Sequence, residues 1–394
     1  MGKTFVRKVK EAQPVLAICY DFDKTLTPDD MQAQGYIQSV GYDTEQFWRE
    51  SNELSEQNEM DQNLAYMYKM VEEAQGHIVV TRRTLAEYGA RVRLFPGVEE
   101  WFARVRRYGE EHGVIVEHYI ISSGLKEMIE GTSIARGGAF ERIYASAFYF
   151  DARGVARWPA QVVNYTNKTQ FLFRIEKGVL DINDPGVNEV FHPDKIRVPF
   201  RNMVYIGDSD TDIPCMRLVT ANGGHAIGVY DPETGDRNKV YKMVRDRRIR
   251  YFAPADYRAG GELDQLLRQI IERTAVNERL EGVHYRQQNE AERADPAAPD
   301  ERETRREELI AMLENSRNFA TTHTAVAKLE AFDRWTDAQR ARLLAAAVHN
   351  QQVAWILGDE DVARFFGRLL DGAAADENAA RVRARLAKEK AKRG

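Results

Sequence analysis

An apolar run that ends on two carboxylates constrains this chain more than any other feature. In "VLAICYDFDKTLTPDD", Val15 to Asp30, continuous apolar residues follow a proline and stop at Asp21. This is the pattern of a strand buried on both faces. Asp23 comes two residues later, then Thr25, Thr27, Asp29 and Asp30. Neighbouring acids at the end of a buried strand repel each other, so something must compensate them. Residues two apart on a strand share a face. Asp21 and Asp23 therefore share one site if the strand keeps that face or if the chain turns just beyond it.

Four more runs have strand character: "VIVEHYIISSG" (114–124), "MVYIGDSD" (203–210), "HAIGVY" (225–230) and "YFAPADY" (251–257). Helical patterns lie between them, over about 29–88, from Phe95 to about Gly113, and over 168–178. Strands alternating with helices predict a parallel α/β sheet. The stretch 141–165 is aromatic and β-rich around Asp-Ala-Arg-Gly and predicts an antiparallel hairpin beside that sheet. At 394 residues the chain exceeds one ordinary domain. Near residue 285 it turns polar, with two prolines and no apolar face, so 285–302 is expected to be a linker. Residues 303–394 are predicted to form a separate α-helical domain. Within it, Thr336 and Gln339 form a capping-box signature. Trp355, Phe365 and Phe366 mark a candidate apolar face, one helix is expected to end at Gly372, and the basic tail is expected to fray. The polar step His349, Asn350, Gln351 has no explanation at this level.

Composition removes several function classes. The formal net charge is −5 and the charges are mixed in sign, so nothing draws the whole chain to nucleic acid or an anionic membrane. No apolar run reaches the roughly 20 residues of a membrane span, and the N-terminus has no signal-peptide apolar core. The two cysteines, Cys19 and Cys215, form no CxxC pair, which fits a reducing, cytoplasmic setting. The histidines show no HxH or HxxxH pair that would hold a metal.

In parallel α/β sheets, ligands bind outside the carboxyl ends of the strands. Asp21 and Asp23 fall at such an end. So do Ser122–Gly124, and so does "GDSDTD" at 207–212, while Lys168 opens a helix. A hard divalent cation would relieve the repulsion among Asp21, Asp23 and Asp208, and Mg²⁺ suits a few carboxylates plus phosphate oxygens. A strand-end Asp is also a plausible nucleophile that forms an aspartyl-phosphate, and a second carboxyl can protonate the leaving oxygen. A phosphoryl group needs donors. Ser122 offers a hydroxyl, the Ser123 and Gly124 amides are expected at a helix start, and Lys168 is expected in a first helical turn capped by Thr166 or Asn167. A cation in a first turn opposes the helix dipole unless a phosphate lies between them.

The ordered set "DFDKTLT" (21–27), "ISSG" (121–124), Lys168 and "GDSDTD" (207–212) resembles the haloacid dehalogenase-type phosphohydrolase superfamily, over about residues 14–257. The resemblance implies a Rossmann-like parallel sheet at 1–28 and 93–284, with a helical cap inserted at 29–92. It implies Asp21 as nucleophile and Asp23 as general acid/base. Thr25, Ser122 and Lys168 would contact the phosphoryl group. Mg²⁺ would be held by Asp21, the backbone carbonyl of Asp23 and Asp208, with Asp212 bracing the metal or Lys168. The acid at Asp23 separates the family's phosphatases from its dehalogenases. Lys24 stands where many members have glycine. A cap of this kind resembles those of phosphoserine- and phosphocholine-type phosphatases and implies a small phosphorylated substrate, with Met31, Gln32, Tyr36, Phe47 and Trp48 as candidate pocket residues.

Two other functions compete with a metabolite phosphatase. A regulatory protein could sense a phosphorylated ligand on this fold and recruit a partner, or a second copy, through the C-terminal helices. A nucleic-acid 3′-phosphatase could use the basic runs "RVRR" (104–107) and "RDRRIR" (245–250), although no aromatic residues interleave them for base stacking.

Overall fold

The computed structural model describes residues 5–294, 301–316, 318–371 and 376–393. Two compact units are present, Met1–Tyr285 and Arg286–Gly394.

The first unit is built on β1 (Val15–Tyr20), and every residue of that strand is buried. The two-residue period splits it between two cores. Leu16, Ile18 and Tyr20 enter one, and Val15, Ala17 and Cys19 enter the other on the opposite face. After β1 the chain forms a helical insertion: α1 (Tyr36–Ser39), α2 (Thr44–Gln57), α3 (Gln62–Glu73) and α4 (Arg82–Gly89). Asp43 and Asp61 cap α2 and α3 by accepting from their first-turn amides. Then come α5 (Val98–Glu111), β2 (Ile115–Leu125), the short helices α6 (Lys126–Gly131) and α7 (Ser133–Arg136), and the antiparallel pair β3 (Arg142–Phe150) and β4 (Ala156–Gln161). The unit closes with α8 (Thr169–Lys177), β5 (Met203–Gly207), α9 (Ile213–Ala221), β6 (His225–Tyr230), α10 (Asn238–Arg245), β7 (Tyr251–Pro254) and the part of α11 (Glu262–Ala294) up to Tyr285.

Seven strands form one sheet in the order β4-β3-β2-β1-β5-β6-β7, parallel except for β4. The expected hairpin therefore continues the main sheet through β3. Strand β1 lies between β2 and β5, where the order of the chain reverses, and this is where an open α/β sheet leaves a crevice at its carboxyl ends. The insertion packs against α6 by a close helix approach. A Cβ at Gly89 of α4 would lie 1.8 Å from the Met128 carbonyl oxygen, and one at Gly131 of α6 would lie 2.1 Å from that of Ala86. Only glycine allows the two backbones to come so near.

The basic runs have structural partners or face water. Arg104 bonds Asp264 and the Tyr257 carbonyl, and Arg106 bonds the Ala139 carbonyl. Most of 245–250 is exposed.

The second unit contains α12 (Glu301–Glu314), α13 (Phe319–Leu329), α14 (Asp337–His349), α15 (Gln351–Trp355), α16 (Glu360–Leu370) and α17 (Glu377–Arg393). It has its own core, which includes Leu313, Val326, Leu344, Phe365 and Phe366. Several expectations change here. Residues 285–294, expected in the linker, continue α11, because nothing breaks a helix before Pro296. Both linker prolines and Gly372 lie outside the described residues. Trp355 does not join Phe365 and Phe366 inside, since it is 65% exposed. The basic tail is helical as α17. Asn350 acquires a role: it caps α15 through its Oδ1, and its Nδ2 donates to the Glu314 and Ser316 carbonyls, both at 3.0 Å. The Thr336–Gln339 capping box is present.

Candidate active site

Strand β1 stops at Tyr20, and the chain turns immediately. The Asp21 amide still donates to the Ile206 carbonyl at 2.9 Å, which holds Asp21 against β5. The amides of Thr25, Leu26 and Thr27 then converge on the Phe22 carbonyl at 3.3, 2.9 and 3.3 Å. Lys24 stands in this turn at φ +56°, a left-handed conformation that favours glycine. The turn, rather than a continued strand face, brings Asp21 and Asp23 to one place.

Asp21, Asp208 and Asp212 form a cluster in which one carboxylate oxygen from each lies within 4.8 Å of the others. Lys168 is fully buried in this cluster. Its ammonium lies 2.8 Å from Asp212 Oδ1, 3.4 Å from Asp21 Oδ1 and 3.3 Å from Thr211 Oγ1. Burial pulls the Lys168 pKa down, but Asp21 and Asp212 outweigh it and hold the ammonium above its ordinary range. Asp212 is fully occupied: Oδ1 accepts from Lys168 and from the Tyr205 hydroxyl, the latter at 2.9 Å, and Oδ2 accepts from the Ser209 amide and hydroxyl at 3.1 and 2.9 Å. It orients Lys168.

The other two carboxylates are less satisfied. Asp21 Oδ1 is buried without a hydrogen bond. Burial pushes the Asp21 pKa up to about 7, with the charges of Asp212 and Asp208 adding and Lys168 opposing. Burial likewise raises Asp208 to about 6, against the pull of Lys239, whose ammonium is 3.3 Å from its Oδ2. A buried set of hard oxygen donors that repel one another, with one oxygen lacking a hydrogen bond, fits a divalent cation held by Asp21 and Asp208. Asp210 is exposed and stands outside the cluster.

Asp23 differs in kind. Its side chain is not in the cluster, and its Oδ1 accepts from the Met31 amide at 2.7 Å. Burial raises its pKa well above the ordinary value, and Asp30 and Asp21 add to the shift. Its surroundings favour the protonated form. Thr25 Oγ1 is buried without a partner, and Ser122 is buried with its hydroxyl accepting from the Gly124 amide at 3.0 Å.

Two expected helix starts are corrected. Ser123 and Gly124 do not open a helix. They lie on a bulged end of β2, where the register slips between Ser122 and Leu125, and α6 begins only at Lys126. Gly124 is glycine for a local reason: a Cβ there would lie 2.7 Å from Asp23 Oδ2 and 2.3 Å from Met31 Cε. Lys168 ends a 3-10 turn, Tyr165–Lys168, whose cap is Asn164. Asn167 supplies the reciprocal bond of the capping box, and Thr166 caps nothing. Among the expected pocket residues, Met31, Tyr36 and Phe47 are fully buried core, and the Tyr36 hydroxyl donates to the Met70 carbonyl. Tyr205 and Thr211 fall within quoted runs but, like Lys239, were given no role there, because their roles exist only once Asp208 and Asp212 have partners.

A family model described as haloacid dehalogenase-like hydrolase matches residues 18–217, just over half of the chain. The chain belongs to the haloacid dehalogenase-like hydrolase family. An uncharacterised protein of Borreliella burgdorferi (strain ATCC 35210 / DSM 4680 / CIP 102532 / B31) is 27% identical over 278 residues, covering 65% of this chain and 96% of its own. Among solved structures, a haloacid dehalogenase family hydrolase from Salmonella enterica serovar Typhi aligns with a TM-score of 0.43 and 17% identity, covering 66% of this chain and 72% of that one. A probable phosphoserine phosphatase from Vibrio cholerae aligns with a TM-score of 0.42 and 13% identity, covering 68% and 67%. This family member thus carries its hydrolase match on the segment that supplies Asp21, Ser122, Lys168 and Asp212. No helix among the described residues is long and apolar enough to cross a membrane.

Proposed function

We propose that this hydrolase is a Mg²⁺-dependent phosphatase that cleaves a small phosphomonoester through an aspartyl-phosphate on Asp21. The observation that carries the reading is the fully buried Lys168 ammonium, 2.8 Å from Asp212 and 3.4 Å from Asp21. A cation so placed faces the nucleophile's carboxylate and the position where phosphoryl oxygens gain charge. Asp21, Asp208 and the Asp23 carbonyl would hold Mg²⁺. Bound there, the ion neutralises the carboxylates and polarises a phosphoryl oxygen.

The residues divide the work. An Asp21 oxygen attacks phosphorus, and the bond from phosphorus to the ester oxygen breaks. Asp23, whose burial favours the protonated form, gives its proton to that departing oxygen. The alcohol leaves, and Asp23 is now a carboxylate. It takes a proton from water, whose oxygen attacks phosphorus, and the Asp21–phosphorus bond breaks to release phosphate. Thr25, Ser122 and the Ser123–Gly124 strand end contribute hydrogen-bonding groups around the phosphoryl oxygens. The helical insertion acts as the cap that excludes water and selects the ester. Asp21→Asn is expected to abolish turnover across a phosphomonoester panel, and EDTA is expected to suppress the wild type until Mg²⁺ is restored. Undiminished turnover in the variant overturns the mechanism.

A further inference from the structure

The turn that carries Asp23 and Thr25 is fixed from inside through its amides and from outside through its carbonyls. Inside, the Thr25, Leu26 and Thr27 amides all donate to the Phe22 carbonyl. Outside, the Phe95 amide donates to the Leu26 carbonyl at 2.9 Å, and the Tyr257 hydroxyl donates to the Thr25 carbonyl at 2.8 Å. Among the described residues no other group donates to the Thr25 carbonyl. Tyr257 is fully buried and is itself anchored at several points. Its amide donates to the Pro96 carbonyl at 2.8 Å, and its ring packs edge-on against Trp101 with centroids 5.1 Å apart. A Cβ at Gly97 would lie 2.6 Å from its carbonyl carbon, so only glycine lets that segment come so close. Arg104 of α5 donates to the Tyr257 carbonyl and bonds Asp264 at 3.2 Å. Asp264 accepts in turn from the Gly260 amide at 3.0 Å and from Arg268 at 2.9 Å. Burial raises the Tyr257 pKa well above its ordinary value, and the charge of Asp208 adds to the shift, so the hydroxyl keeps its proton and donates it.

We propose that Tyr257 is a positioning residue for phosphoryl transfer: by holding the Thr25 carbonyl, it sets where the Thr25 hydroxyl stands. This rests on the phosphatase reading above. Thr25 Oγ1 is buried and has no hydrogen-bond partner of its own in the protein. Its place is therefore set by the backbone that carries it, and Tyr257 fixes that backbone at the same residue. The neighbouring residue gives the turn a reason to need outside support. Lys24 sits at φ +56°, a conformation that costs a non-glycine residue energy and persists only where the surroundings impose it. Magnitudes decide which effect of Tyr257 dominates. Its bond is one neutral hydrogen bond among many, of modest worth to the fold. A misplacement of about 1 Å at the reacting group costs on the order of 100-fold in rate. The rate is thus the more sensitive readout. The same line of bonds gives Arg104, the first arginine of the run 104–107, a place in the fold: it braces Tyr257 from behind.

The test uses the full chain with Mg²⁺ and p-nitrophenyl phosphate. Tyr257→Phe keeps the ring and removes the hydroxyl. It is expected to lower kcat by about tenfold with little change in KM. Tyr144→Phe is the control, since it removes a similar bond, from the Tyr144 hydroxyl to the Leu180 carbonyl at 2.9 Å. It is expected to shift the urea midpoint as much as Tyr257→Phe does and to keep the wild-type kcat. A double-mutant cycle separates positioning from general support. Once Thr25→Ala has removed the positioned group, Tyr257→Phe is expected to cost less than about twofold, whereas a merely structural residue costs the same in both backgrounds. Arg104→Gln, which releases the Tyr257 carbonyl and leaves the hydroxyl, is expected to lower kcat by about threefold, again only when Thr25 is present. It carries the test if Tyr257→Phe does not fold. Wild-type kcat in the folded variants, equal losses with and without Thr25, or the same loss in Tyr144→Phe overturns the role of Tyr257 and leaves the phosphatase reading intact. No hydrolysis by the wild type overturns both.

Discussion

Replacing Lys168 by methionine separates the electrostatic account of the site from a purely steric one. The side chains are similar in length, so the change removes the charge and little volume. The ammonium is fully buried, 2.8 Å from Asp212 and 3.4 Å from Asp21. At an effective dielectric of about 20, contacts of these lengths carry roughly 5–6 kcal/mol of attraction each, part of which offsets desolvation of the ions. The expected net loss of stability at neutral pH without metal is about 3–5 kcal/mol, because Asp21 and Asp212 are left without their counter-ion. The pH dependence gives a second readout. The folded-state pKa values of Asp21 and Asp208 are raised from 3.8 to about 7 and about 6. An acid whose pKa rises on folding binds more protons folded than unfolded. Its contribution is complete below pH 3.8 and is lost as pH rises through 6 and 7. Without Lys168 the Asp21 value rises further, so the variant's deficit shrinks as pH falls toward about 5. Mg²⁺ is expected to reduce the deficit as well. Because the chain has two compact units, urea unfolding is read by hydrogen exchange at peptides covering β1, and phosphatase turnover is measured in parallel. Turnover is expected to fall by about 10²–10³-fold. A variant with wild-type urea midpoints at both pH 5 and pH 7.5 would refute the charge assignment.

Three further outcomes are expected. Asp23→Asn should slow cleavage of alkyl phosphates far more than of p-nitrophenyl phosphate, whose leaving group needs little protonation; equal losses on both esters argue against its role as acid. Gly124→Ala should cost about 10²-fold in kcat with Mg²⁺ affinity retained, since its Cβ would press on Asp23 Oδ2 and Met31 Cε, and wild-type kinetics would show the bulge to be adaptable. Arg197→Met should destabilise the fold by about 3–5 kcal/mol without changing kcat/KM in the surviving folded enzyme, because Arg197 bonds the buried Glu117 at 2.8 and 2.7 Å. Burial pushes Glu117 up, but Arg197, Lys8 and Tyr119 outweigh it and bring it from 4.5 to about 2, so its contribution is present above pH 4.5 and lost as pH falls through 2. A wild-type acid-unfolding curve in the variant would contradict this.

The parallel sheet, the strand-end acids and the order of the four motifs were legible in the sequence because each rests on local chemistry. An apolar run must be buried, and acids that interrupt it need compensation. The capping box at Thr336 was legible for the same reason. Tertiary structure decided everything that depends on which distant groups meet. Lys168 and Asp212 are 44 positions apart, and only the packing of the turn before α8 against the turn after β5 gives Lys168 its carboxylates. The same folding turned Asp212 toward Lys168, left Asp21 and Asp208 less satisfied, and put Asp210 in solvent. Lys24 had no role in the sequence; in the structure it adopts a left-handed turn and pairs with Asp30. Asn350 looked like an unexplained polar step until the Glu314 and Ser316 carbonyls lay beside it. Periodicity shows that a side chain is buried, but not whether its polar atom finds a partner. For that reason Tyr36 and Phe47 proved to be core, while Gln32 and Trp48, from the same stretch, retain buried polar atoms without hydrogen bonds.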